Sequence, residues 1–179
     1  AVAVGLTIPL ARSRNRRNYF FVALLVAFAL AALTLHLSYL GILDWPELLS
    51  LRVGLDLVLF VIAVMGGRVI PMFTNNGVPG TQATRRPVVE KLSLGSILVL
   101  IAADLVQAPA PLIASVTLVA ALAHAVRLGL WQSWRTFGTP LVWVLHAAYA
   151  WIVVYLLLRA LAALGMVAEP LAVHALTIG

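Results

Sequence analysis

The chain contains no cysteine and only six acidic residues among 179. Without cysteine there is no disulfide, no thiolate-ligated metal and no iron–sulfur cluster within the chain, and the redox compartment stays open. Charge of either sign is scarce. Asp, Glu, Lys and Arg make up 10% of the residues against 63% hydrophobic, which excludes an ordinary soluble globular domain. No phosphate-cradling glycine loop, dinucleotide glycine fingerprint, HExxH pair or Ser-His-Asp order is present.

What remains is long apolar sequence. Several uncharged runs exceed the roughly 18 residues needed to cross a bilayer core, and residues 19–43 carry no Asp, Glu, Lys or Arg. The expected fold is all-α: a polytopic transmembrane helix bundle with five complete spans plus two partial helices, forming a single domain over 1–179. The five spans are placed at 19–42, 48–73, 92–107, 112–130 and 140–164. The partial helices are an apolar stub at 1–10 and a last helix opened by Glu169-Pro170. The chain is expected to be a central piece of a longer protein, with membrane helices continuing on both flanks.

Boundaries follow from local chemistry. Asp44-Trp45-Pro46-Glu47 is an acid-and-proline helix start with an interfacial tryptophan. Asn76-Gly77, Pro79-Gly80 and Arg85-Arg86-Pro87 mark residues 74–91 as a loop. Pro109 and Pro111 punctuate a tight connection, and Thr139-Pro140 is an N-cap and first-turn pair.

The net charge of +6 would point to nucleic acid in a soluble chain. Here the basic residues fall in short loops, so the expected partner is the lipid bilayer and its headgroups, with no nucleic acid. Alternate loops hold Arg12, Arg14, Arg16 and Arg17, then Arg85, Arg86 and Lys91, then Arg135 with Arg127 nearby. The intervening loops hold Asp44 and Glu47, Gln107, and Glu169. Five crossings put every basic loop on one side, expected to be cytoplasmic.

Polar groups within apolar runs are the candidate site residues, because a charge at bilayer depth faces protein, water or a ligand. Arg68 sits in Gly66-Gly67-Arg68-Val69-Ile70-Pro71, where two glycines let a helix or cofactor approach closely. Its alternative is to snorkel toward headgroups. Arg52 and Asp56 have the i, i+4 spacing of a structural ion pair. Asp104, near the outer end of its span, reads as a solvated acid.

Four histidines are candidate metal ligands: His36, His124, His146 and His174. His124 and His146 each lie about six residues from the cytoplasmic ends of consecutive helices, roughly 9 Å in. Two imidazoles level on antiparallel neighbours can converge on a haem iron or a copper ion. His36 and His174 share the opposite half of the bilayer, where an interfacial hydrogen-bonding role is the simpler reading. Trp143, His146 and Tyr149 recur at helical spacing and can wall a planar cofactor or pack between helices. Arg127, three residues beyond His124, can reach a haem propionate or a lipid phosphate.

Several strings together resemble the NnrS family. They are Gly66-Gly67-Arg68-Val69-Ile70-Pro71 through Gly77, Arg17-Asn18-Tyr19-Phe20, Arg127-Leu128-Gly129-Leu130-Trp131 through Trp134-Arg135, Leu145-His146-Ala147-Ala148-Tyr149-Ala150-Trp151, and His174 to Gly179. The resemblance implies a multi-pass protein of the bacterial inner (cytoplasmic) membrane that binds haem and copper. Its role would lie in nitric oxide tolerance, linked in some bacteria to denitrification, with no established catalytic reaction. It strengthens His124, His146 and His174 as ligands and leaves Arg68 and Arg127 as candidate propionate partners. Two other classes stay open: a transporter or channel component centred on Arg52, Asp56 and Arg68, and a structural membrane subunit of a redox complex.

Overall fold

A computed structural model describes Gly5 and residues 19–178. The apolar stub at 1–10 and the basic loop at 12–17 therefore lie outside the described residues, Gly5 apart. The described residues form six α-helices and no strand: α1 (Tyr19–Tyr39), α2 (Glu47–Gly77), α3 (Pro87–Leu105), α4 (Ala110–Leu130), α5 (Pro140–Ala163) and α6 (Glu169–Thr177), with a 3₁₀ turn at Ser133–Arg135. Two compact units divide the chain, the first ending at Val58 and the second beginning at Leu59.

In the first unit, Thr34 on α1 bonds its own helix at Ala31 O and meets Ser50 Oγ of α2 at 3.1 Å. The Ser38 hydroxyl donates to Trp45 O and ties down the turn between the helices. Asp56 is buried and Arg52 half-buried on α2.

The second unit holds the core. Leu59 and Ala63 of α2, Ile97 and Leu100 of α3, Ala120 and Ala121 of α4, Tyr149, Ile152 and Leu156 of α5, and Ala172 and Ala175 of α6 pack together. Consecutive helices α3, α4, α5 and α6 are neighbours, as short connections between antiparallel helices require. Alanine at the contacts lets backbones approach, the usual packing mode where lipid supplies no hydrophobic drive.

Among the described residues, four helices are long and apolar enough to cross a membrane: Phe20–Tyr39, Leu48–Gly77, Ala110–Leu130 and Pro140–Ala163. The fifth expected span, α3, is set apart by its charges, Glu90, Lys91 and Asp104. It is 19 residues long rather than the short piece expected, because Pro87 occupies the first helical turn and the extended Arg86 precedes it. At 1.5 Å per residue it extends roughly 28 Å.

Helix α2 also outruns its expected end at Phe73 and continues to Gly77. Thr74 Oγ1 donates to Ile70 O at 2.8 Å. The Asn75 side chain accepts from Ala83 N at 2.7 Å and donates to Ala83 O at 3.0 Å. Asn75 is thus a clamp on the returning chain and stays helical rather than opening a turn. The loop beyond is stitched to the end of α4: Thr84 N donates to Leu130 O, Gln82 N to Gln132 Oε1, and Arg135 Nη1 to Gly80 O. Two of the basic loops therefore share one end of this unit, as the charge alternation requires.

Asp104 corrects the sequence expectation. It is 1% exposed and ion-paired with Arg159 of α5, whose other amino group donates to Tyr155 Oη at 2.7 Å. An acid this deep persists because a cation meets it. Removing one partner of a buried pair is expected to destabilise by about 3–5 kcal/mol, whereas an apolar replacement of both restores much of the loss. Asp104→Ala should lower the unfolding midpoint in detergent, and Asp104→Leu with Arg159→Met should lower it less. A double variant at least as unstable as the single one would contradict this account.

Candidate functional site

At the basic-loop end of the second unit a polar cluster joins α2, α3, α4 and α5. Its centre is Arg127, 1% exposed in the last turn of α4. The guanidinium grips Glu90 of α3 with two parallel bonds, Nε to Oε1 at 2.8 Å and Nη2 to Oε2 at 2.6 Å. Nη1 donates to Ala63 O of α2 at 2.8 Å and to Tyr149 Oη of α5 at 2.7 Å. Four helices are bound through one side chain. Arg85 adds a third donor to Glu90 at 3.2 Å.

Glycine makes the room. A Cβ on Gly67 would lie 1.8 Å from Arg127 Nη2, and one on Gly66 would lie 3.1 Å from the Tyr149 ring. The two glycines that mark this stretch in the sequence are therefore seats for Arg127 and Tyr149. Gly77 plays the same part for Val142, at 3.0 Å.

The hydrogen bonds fix proton positions. His124 Nε2 lies 3.1 Å from Ser93 O, and a carbonyl only accepts, so Nε2 carries the proton. Nδ1 of the neutral ring then accepts from Tyr149 Oη at 2.6 Å. Tyr149 in turn accepts from Arg127. The direction of donation runs from Arg127 through Tyr149 and His124 to Ser93, and both ring nitrogens of His124 are occupied.

His146 is arranged differently. Thr74 spends its proton on Ile70 O, so its oxygen accepts from His146 Nε2 at 2.8 Å. That leaves the lone pair on Nδ1, which is buried and has no hydrogen-bonding partner in the protein. Tyr149 and Trp131 link the two imidazoles. Ring centroids are 5.7 Å apart for His124 and Tyr149, 4.7 Å for Tyr149 and Trp131, and 6.4 Å for Trp131 and His146. The guanidinium carbon of Arg127 lies 5.2 Å from the Trp131 ring centre.

The other candidates are dispersed. Trp143 is 39% exposed while His146 and Tyr149 are buried, since six residues on a helix turn Trp143 about 120° from Tyr149. Those aromatics do not wall one cavity. Arg68 is exposed on α2. His36 and His174 are exposed, each with Nδ1 2.7 Å from the carbonyl four residues earlier, Ala32 and Pro170. Their Nδ1 atoms carry the proton, and Nε2 offers the lone pair.

For a haem or copper ion the fit is therefore uneven. His36 and His174 present Nε2 with the ring held by a carbonyl, the usual support for a metal-bound imidazole. His146 presents Nδ1. His124 offers no lone pair, and Arg127 is already committed to Glu90. Among the described residues no three His, Asp or Glu side chains form a metal-holding group. An apolar cavity of about 480 Å³, lined in part by Met65, Gly66, Val69, Tyr149, Trp151 and Leu176, lies alongside.

Glu90 and Arg159 were not singled out in the sequence. The signal for Glu90 was available: an acid flanked by a loop of three basic residues, one turn into a helix.

Apolar helices of spanning length, with buried charges neutralised in pairs, define a multi-pass helical membrane protein. Residues 1–179 match the family model described as NnrS protein, and the chain belongs to the NnrS family. No curated protein and no solved structure matches it.

Two predictions follow from the cluster. Gly67→Ala should displace Arg127 and lower the detergent unfolding midpoint well beyond Gly66→Ala, by about 1–3 kcal/mol for overpacking alone; equal midpoints would contradict the seat. Glu90 lies before the apolar run of α3. Burial would raise its carboxyl pKa, but hydrogen bonds and charge from Arg127, then Arg85, hold it below the ordinary carboxylate value. A depressed folded value stabilises above the unfolded value and is lost as pH falls through the folded one. Unfolding midpoints measured below pH 4.5 should therefore fall more steeply for the natural protein than for Glu90→Gln.

Proposed function

We propose that this chain is part of a haem- and copper-associated protein of the bacterial inner membrane that serves in nitric oxide tolerance or a denitrification-linked response. The observation that carries the reading is the family match over the whole length, 1–179. It is supported by imidazoles that keep a lone pair: His36 and His174 at Nε2 and His146 at Nδ1. These residues would hold the metal centres, with further ligands from outside the described residues. Haem iron and copper each bind nitric oxide or exchange electrons, which is the chemistry such groups supply when bound.

On this reading α3 is a fifth crossing. Its length matches the hydrocarbon core, and Glu90 and Asp104 meet Arg127 and Arg159 within the bundle. The same pairing favours a fixed scaffold over a transporter, because the buried charges near α3 are already neutralised. The basic loops face the cytoplasm and the lipid headgroups. Arg68, exposed on α2, is placed for a headgroup or a propionate of a group bound on that face.

The test is an optical spectrum and metal analysis of the purified full-length protein. Haem bands and stoichiometric copper are expected. His36→Ala and His174→Ala should each shift the spectrum or reduce metal content. Colourless, metal-free protein from cells supplied with both cofactors would overturn the proposal.

A further inference from the structure

We propose that Thr74, His146 and Trp131 form a buried site for a single electron-pair acceptor bound at His146 Nδ1, and that His124 is a brace that takes no ligand. The site lies where the last turn of α2, the C-terminal end of α4 and the second turn of α5 meet. All three residues are buried, at 0%, 4% and 0% exposure for Thr74, His146 and Trp131.

The argument is one of proton accounting. Thr74 cannot donate to His146, because its hydrogen is engaged by Ile70 O. His146 is therefore held as the Nε2–H form with its lone pair on Nδ1. That atom has no protein partner, and neither has the indole Nε1–H of Trp131. The two rings are neighbours at 6.4 Å and 71°, yet donor and acceptor do not bond each other. Each unsatisfied buried group costs about 1–3 kcal/mol, more in a membrane, where no solvent can relieve it.

The adjoining network gives the contrast. Arg127, Tyr149, His124 and Thr136 are each satisfied by named partners. The Ser93 hydroxyl there is also unpartnered, but it stands alone, with no unpartnered acceptor beside it among the described residues. An acceptor and a donor left without partners on two neighbouring buried rings mark a ligand position. The ligand gives an acidic hydrogen or a metal orbital to Nδ1 and presents an electron-rich atom to the indole N–H. Water does so through its O–H and its oxygen. A copper ion carrying a bound water does so through the metal and that oxygen. Only the second source rests on the proposed metal-binding function.

Nitrogen-15 NMR of histidine-labelled full-length protein in detergent tests this. His146 should show a protonated Nε2 and an unprotonated Nδ1, with Nδ1 shifted upfield of a free imine nitrogen. Trp131→Phe should move that Nδ1 signal and leave both His124 signals in place. The natural protein's spectrum alone settles the tautomer if the variant does not fold. Titration with copper(I) under reducing conditions distinguishes the sources: a further large Nδ1 shift assigns a metal, and no shift assigns water. A protonated Nδ1 on His146, an Nδ1 signal at the free-imine position, or a copper(I) response at His124 would overturn the inference. Copper and haem contents of the same sample report on the proposed function independently. Full cofactor loading with a free-imine His146 sinks only the inference, and a cofactor-free protein with the expected Nδ1 shift sinks only the function.

Discussion

Everything near the basic-loop end of this bundle depends on the pairing of Arg127 with Glu90. A guanidinium at 1% exposure in so apolar a protein survives only with its charge met and its N–H groups taken. Glu90 supplies the charge and two acceptors; Ala63 and Tyr149 take the remaining contacts. Because its three partners sit on three other helices, one side chain sets how α2, α3, α4 and α5 approach. The Gly66–Gly67 seat, the orientation of Tyr149 and the tautomer of His124 are consequences. At the other end of α3, Asp104 and Arg159 repeat the device. Fourteen residues, roughly 21 Å along a helix, separate the two acids, so α3 is pinned near both ends.

Much of the fold was legible because hydropathy in such a chain is a strong signal. The order of the described helices and the shared end of two basic loops followed from apolar runs and loop charge, while four of the five expected spans are long and apolar enough to cross a membrane. What was not legible was where charges inside those runs find partners. Asp104 reads as solvated when seen only at the end of an apolar stretch, since its partner lies 55 residues on in α5. Helix ends were misplaced for a related reason. Asn75 and Asn76 have turn chemistry locally, and only the clamp on Ala83 keeps that segment helical.

The site was legible as a set of residues and not as an arrangement. His124 and His146 do lie at one end of one unit, as depth counting along the helices indicated, and Tyr149 and Arg127 join them there. Depth does not tell which nitrogen faces what. The tyrosine three residues after His146 reaches back to His124 and occupies it, so two level imidazoles become one brace and one ring with a buried lone pair. The Gly66 to Gly77 stretch underwent the same change of meaning. Its residues are distinctive because Arg127, Tyr149, His146, Ala83 and Val142 each need a particular neighbour there.

The most direct measurement is a double-mutant cycle on Glu90→Gln and Arg127→Met, read as unfolding free energy in detergent. The account predicts strongly non-additive losses, with a coupling of about 2–3 kcal/mol, the upper part of the range for contacting residues. Additive losses, with coupling near zero, would mean that the pair does not hold the four helices together.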